Sequence, residues 1–205
     1  ISPIVSEDIL SPFRDESNEY TVVSCAWLRP PKRIDLVAKS FKYVPENIKL
    51  KWFHFGDGPL MSEIKEIIKQ LPSNIEAFMM GDTDNKKIHE FYMKNVVHAF
   101  IHISDSEGLP FAIQEALSYG IPVIANDVGG IGEVVNENTG VLLPQQVSPE
   151  ILAKELLKFL SSEKNSASYH KKIKDWHYNN IVKRMKEDYK NTLISELMKT
   201  ETVLS

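Results

Sequence analysis

The stretch VHAFIHISDSEGLPFAIQEALSYGIPVIAND (97–127) decides the fold. Its first eight residues, VHAFIHIS (97–104), form an apolar run of strand length with no polar alternation, which predicts a strand covered on both faces. A polar loop follows. FAIQEALSYG (111–120) then places apolar side chains at helical spacing, with Gly120 where helices commonly stop. IPVIAND (121–127) is a second apolar run. Strand, helix and strand within about thirty residues is the unit from which parallel sheets are built.

The same alternation extends in both directions. TVVSCAW (21–27), IKLKWFHF (48–55), NIEAFMMG (74–81) and TGVLL (139–143) read as further strands. Helices are predicted over 33–44, from Leu60 to Leu71, over 86–95, over 131–136 and over 148–160, the last capped by Ser148 before Pro149. Six short apolar strands alternating with helices predict an α/β, Rossmann-like, doubly wound parallel sheet with helices on both faces. Residues 1–19 read as a linker and 20–163 as the domain. Residues 164–205 read as C-terminal amphipathic helices: Tyr169, Ile173, Trp176, Ile181, Met185, Tyr189 and Leu193 recur every three to five residues, and the outer face is basic. Over 164–190, eight basic residues against three acidic ones leave a charge of +5.

Composition narrows the function. The 205 residues are 42% hydrophobic and 25% charged, which excludes a disordered or rod-like chain. The formal net charge is −4, so nucleic-acid binding by bulk charge is not expected. A single cysteine, Cys25, excludes an internal disulfide framework and a multi-cysteine zinc site. No run of eighteen apolar residues is present, and the start at Ile1 without a basic, then apolar, leader reads as a fragment of a longer protein.

Sheets of this kind bind ligands beyond the carboxyl ends of their strands, where strand order reverses. The loops of interest are therefore 27–33, 56–60, 80–86, 104–111 and 126–132. Pro110 suits the start of the helix at 111, leaving the Phe111 and Ala112 amides as donors for an anion. Glu115, one to two turns in, is placed to accept two hydrogen bonds from a vicinal diol such as ribose. The competing reading of Glu115 is a solvated helix carboxylate.

With these residues in view, SEGLPFAIQEALSYGIPVIANDVGGIGEVV (106–135) closely resembles the C-terminal donor-binding domain of family 4 (group 1) retaining glycosyltransferases of GT-B architecture. Glu107 and Glu115 have the family's two-glutamate spacing, and HFGDGPL (54–60), FMMGD (78–82) and NTGVLLP (138–144) continue the likeness over roughly residues 20–160. The resemblance implies transfer of a sugar from a nucleotide diphosphate sugar to a hydroxyl of a sugar or lipid-linked acceptor, in surface polysaccharide or glycolipid synthesis. It assigns Glu115 to the ribose hydroxyls and Glu107 to the donor sugar. Lys32 goes to the diphosphate, and Gly81 to the turn bordering the base. Backbone at Gly108, Leu109, Pro110, Phe111 and Ala112 would face sugar and diphosphate. Lys32 and the helix start would meet the leaving-group charge without a metal or other cofactor.

It further implies a cytoplasmic protein, with possible contact to the inner membrane face through the basic helices. An N-terminal Rossmann-like acceptor domain would be missing from this chain, leaving the isolated domain inactive. One position departs: Ala26-Trp27 stands where the family has Gly-Arg, and Arg33 or Arg29 could replace the lost charge. Two other readings stay open, a nucleotide-sugar epimerase on the same architecture and a non-catalytic nucleotide- or partner-binding module.

Some features read as structural. Asp82-Thr83-Asp84 reads as a solvated turn, not a metal-binding acid pair. His54, His98 and His102 read as packing groups on different strands without a supporting carboxylate. Cys25 reads as a small buried hydrophobe. Gly129-Gly130 permits either close approach to a ligand or a plain turn.

Overall fold

A computed structural model describes residues 10–12, 18–108, 110–188 and 190–192. Leu109, Tyr189, Leu193 and most of the 1–19 segment lie outside these. The strands are β1 (Glu19–Cys25), β2 (Lys49–Phe55), β3 (Ile75–Met79), β4 (Ala99–His102), β5 (Val123–Asn126) and β6 (Gly140–Leu143). All pair in parallel, in the order β3-β2-β1-β4-β5-β6. The order reverses between β1 and β4, where Val22 faces Ala99. Helices α1 (Ile34–Ser40), α2 (Met61–Ile68), α3 (Asn85–Lys94), α4 (Phe111–Ser118), α5 (Ile131–Val134) and α6 (Pro149–Leu160) alternate with the strands and cover both faces. α7 (Ala167–His177) follows and packs on α4.

Every residue of β4 and β5 is buried, which is why these strands read as unbroken apolar runs. β1 starts two residues earlier than its apolar run, because Glu19 is satisfied at the sheet end by the Lys51 ammonium. Trp27, predicted as the strand's last residue, has already left the sheet and is 55% exposed. The helix predicted over 33–44 is shorter: Arg33 is left-handed (φ 44°), and the last turn, Phe41–Tyr43, tightens to a 3-10 turn. Ser148 caps α6 as expected, its Oγ accepting from the Ile151 amide at 3.3 Å.

α7 buries Tyr169, His170, Ile173, Lys174 and His177, so its inner stripe holds polar side chains that an apolar count passes over. It runs on through a π-helical segment, Tyr178–Val182. Lys171, Lys172, Lys183, Arg184 and Lys186 are exposed, whereas Lys174 is not. Among the described residues no helix is long and apolar enough to cross a membrane.

A buried polar chain ties the carboxyl ends of β1 and β2 together. Trp52 Nε1 donates to Ser24 Oγ at 2.9 Å, and Ser24 Oγ lies 2.8 Å from His54 Nδ1. His54 Nε2 lies 3.1 Å from the Ala26 carbonyl. That carbonyl can only accept, so Nε2 carries the proton and Nδ1 accepts from the serine. Burial pushes His54 down to about 4, keeping it neutral, as this chain requires. His54 is thus a packing group, as the sequence suggested.

Candidate nucleotide-sugar site

The β1–α1 and β4–α4 loops meet at the point where strand order reverses. The Asp105 amide and the Ser104 hydroxyl both donate to the Pro31 carbonyl at 2.8 Å. The Lys32 ammonium pairs with Glu107 Oε2 across this junction. His102, 4% exposed at the end of β4, donates from Nε2 to the same oxygen at 3.1 Å. These donors hold the Glu107 carboxyl at about 2, the His102 hydrogen bond contributing most and Lys32 next, against an opposing burial effect. Glu107 is therefore a fixed negative charge and hydrogen-bond acceptor at neutral pH, not a proton donor.

His102 corrects the expectation that none of the strand histidines has a supporting carboxylate. Its signal was a lone polar side chain near the carboxyl end of a fully buried strand, five residues before Glu107. His98, by contrast, accepts the Thr21 amide on Nδ1 at 2.9 Å and serves the sheet.

The β4–α4 loop rests on the next loop along. Gly130 N–H donates to the Gly108 carbonyl at 2.9 Å. Gly129 is left-handed (φ 55°), and a Cβ built there would stand 1.8 Å from the Glu107 carbonyl oxygen. Gly129 is thus required by close approach to the loop that carries Glu107. Asn126 fastens the base of that loop: it accepts from the Ser104 amide at 3.0 Å and donates to the Ser104 and Gln145 carbonyls at 2.8 Å.

Glu115 sits one turn into α4, its side chain 13% exposed, so it is not a solvated helix carboxylate. Asn85 Nδ2, at the start of α3, donates to its Oε1 at 2.9 Å. His89 Nε2 lies 3.7 Å from the same oxygen. Pro110 stands just before α4, and the first helical bonds run from the Ile113 and Gln114 amides to its carbonyl. The Phe111 and Ala112 amides thus precede the helical ladder at the positive end of the helix.

Gly81, left-handed at φ 70°, has open space around the position of a Cβ, and its carbonyl accepts from the Gly56 amide at 2.9 Å. Trp27, Met80 and Phe111 are exposed at this same edge of the sheet.

Arg33 is already paired at this junction. Its guanidinium meets Asp105 at 3.0 Å and Asp35 at 3.4 Å, and it borders a cavity of about 390 Å³ shared with Leu36, Asn126 and Gln145. Asp82 and Asp84 are exposed, and Asp84 caps α3 by accepting the Lys86 amide at 2.7 Å. Burial raises the Cys25 thiol to about 12, which suits a packing group.

Residues 6–176 match the family described as glycosyl transferases group 1. An uncharacterized glycosyltransferase of Methanocaldococcus jannaschii is 30% identical over 136 residues, 65% of this chain and 36% of that one. The N-acetyl-alpha-D-glucosaminyl L-malate synthase of Bacillus anthracis is 27% identical over 126 residues, 61% of this chain and 32% of that one. In fold, the chain resembles the Anabaena HepE protein in complex with UDP and glucose (TM-score 0.70, 18% identity), over 87% of this chain and 49% of that one. The chain thus spans about a third of these curated relatives and half of the structural neighbour. From its matched residues and its Rossmann-like fold, the chain belongs to the group 1 glycosyl transferases, whose solved neighbours have the GT-B architecture.

Proposed function

We propose that this chain is the donor-binding domain of a retaining glycosyltransferase. It holds a nucleotide diphosphate sugar against the edge where β1 and β4 part. The observation that carries this reading is the Lys32–Glu107 pair joining the β1–α1 and β4–α4 loops where strand order reverses, with Glu115 on the helix that the second loop feeds. Glu115 accepts the ribose hydroxyls on a carboxylate that Asn85 already orients. The base lies along the turn at Gly81. The diphosphate meets the amides at Phe111 and Ala112 and the Lys32 ammonium, which has donors left after its bond to Glu107. Lys32 is favoured over Arg33 as the phosphate cation, because Asp35 and Asp105 already hold the Arg33 guanidinium.

In transfer, negative charge grows on the departing diphosphate, and Lys32 with the helix start stabilises it in place. Glu107, ionised and fixed by His102, faces the sugar, where positive charge develops as the glycosidic bond loosens. Because the cationic groups are supplied by the chain, donor binding needs no divalent metal. The further length of its relatives would hold an N-terminal Rossmann-like domain that binds the acceptor, and the isolated domain binds donor without transferring it. The solved neighbour holds UDP and glucose, which makes UDP-sugars the first donors to try. A relative named for O-antigen biosynthesis favours a role in surface polysaccharide synthesis.

The test is a panel of nucleoside diphosphates and nucleotide sugars added to this chain in excess chelator, followed by thermal unfolding. A ligand at a hundred times its dissociation constant adds about 2.7 kcal/mol, which for a domain of this size is roughly 5–10 °C. No shift with any member would refute the reading. A shift that returns only with magnesium would refute the metal-free part and bring Asp82 and Asp84 back into consideration.

A further inference from the structure

Glu115 is backed by a second layer that the two-glutamate motif does not contain. α3 presents Asn85 and His89, one helical turn apart, and α4 presents Glu115 and Tyr119 at the same spacing. Asn85 therefore meets Glu115, and His89 meets Tyr119. The Tyr119 hydroxyl lies 2.7 Å from His89 Nδ1, with ring centroids 5.4 Å apart. His89 is only 9% exposed, and its Nε2 is buried without a hydrogen-bond partner. The nearest carboxylate oxygen is Glu115 Oε1, at 3.7 Å, just beyond bonding range.

A buried imidazole nitrogen left open is uncommon and calls for a reason. The tautomer supplies one. Nε2 faces the Glu115 carboxylate, which can only accept, so the ring proton belongs on Nε2 and the Tyr119 hydroxyl donates to Nδ1. Burial, with the Glu115 charge behind it, raises the Tyr119 hydroxyl, so the phenol keeps the proton it donates. A closure of well under 1 Å would complete the bond. Glu115 Oε1 would then be held by Asn85 and His89, leaving Oε2 for the diol.

We propose that His89, with its tautomer set by Tyr119, is a positioning residue for ribose recognition: its Nε2–H closes onto Glu115 Oε1 when the nucleotide's ribose engages the other oxygen. This rests on the reading that Glu115 binds ribose. His89 touches no ligand itself, so its effect falls on the part of the affinity that depends on the ribose hydroxyls.

The experiment is calorimetric titration of UDP and 2′-deoxy-UDP into the wild-type chain and into Glu115→Ala, His89→Leu, His89→Gln and Tyr119→Phe variants. Melting temperatures are recorded for each. The wild type is expected to prefer the ribose ligand, and Glu115→Ala to lose that preference. His89→Leu should reduce it by roughly three- to tenfold, the worth of one hydrogen bond. Tyr119→Phe should reduce it less, and His89→Gln, whose amide can still donate, should restore much of it. If Glu115→Ala abolishes the preference while both His89 variants keep it, this proposal falls and the ribose reading stands. If the His89 variants weaken both ligands equally, the histidine only supports the fold and the proposal falls. If Glu115→Ala also keeps the preference, or the wild type shows none, the ribose reading fails and this inference with it.

Discussion

Replacing Gly129 by alanine tests how the site is supported from behind. The new Cβ would stand 1.8 Å from the Glu107 carbonyl oxygen and 3.2 Å from that of Gly108. A side-chain carbon essentially never comes within 3.0 Å of such an oxygen, so the two loops must separate by more than 1 Å. Two costs follow. Holding a non-glycine residue at φ 55° costs about 1–2 kcal/mol. Separating the loops breaks the Gly130–Gly108 hydrogen bond, worth about 1 kcal/mol. Together these come to about 2–3 kcal/mol, or roughly 5–10 °C in melting temperature. The movement also carries Glu107 away from Lys32 and His102, so nucleotide-sugar affinity should fall with stability.

The assay is urea unfolding of Gly129→Ala beside Gly132→Ala. At Gly132 the added carbon meets only side chains, Asp127 at 3.1 Å and Leu142 at 3.6 Å; the first can move away and the second is ordinary contact. The control should lie within about 1 kcal/mol of wild type. Equal stability of the two variants would refute the claim that the β5–α5 loop props the Glu107 loop.

Three other outcomes are expected. Cys25, with its thiol raised to about 12 by burial, should resist an aromatic disulfide reagent at pH 8 in the folded protein and react at once in urea; rapid reaction without urea would contradict its packing. His54, His170 and His177 are pushed by burial to about 4, 3 and 4, below the ordinary 6.5, so the unfolded chain binds more protons than the folded one. Their contribution is complete above pH 6.5 and declines as pH falls toward 4, by up to about 1.4 kcal/mol per pH unit for each; urea midpoints that stay flat from pH 7 to 5 would contradict this. In an enzyme that contains this chain, Glu107→Gln should lower kcat by roughly tenfold or more with little change in donor KM, and a change confined to KM would remove Glu107 from the transition state.

The sheet was legible because parallel strands covered on both faces are largely apolar, and β4 and β5 are so until their carboxyl ends, where His102 and Asn126 stand. Glu107, Glu115 and Pro110 were legible because they share one loop and helix, so their spacing is local. What escaped was contact across the sequence. Lys32 and Glu107 are 75 residues apart, and nothing local tells that the lysine pairs with that carboxylate. His89 and Asn85 read as ordinary residues of α3 until α4 is set beside them. Gly129 could be read two ways because its reason is the backbone of a loop twenty residues earlier. Arg33 shows the converse: adjacency to Lys32 suggested a shared role, but a left-handed backbone at the start of α1 sends its guanidinium to Asp35 and Asp105.

The central claim is that a nucleoside diphosphate lies across the carboxyl edge of β1 and β4, with ribose on Glu115 and phosphate at Lys32 and the start of α4. A crystal structure of this chain with UDP, grown in chelator, tests it most directly. The account predicts both ribose hydroxyls within hydrogen-bond range of Glu115, and phosphate oxygens on the Phe111 and Ala112 amides and the Lys32 ammonium. UDP bound with its ribose away from Glu115, or its phosphates away from Lys32 and α4, would contradict it.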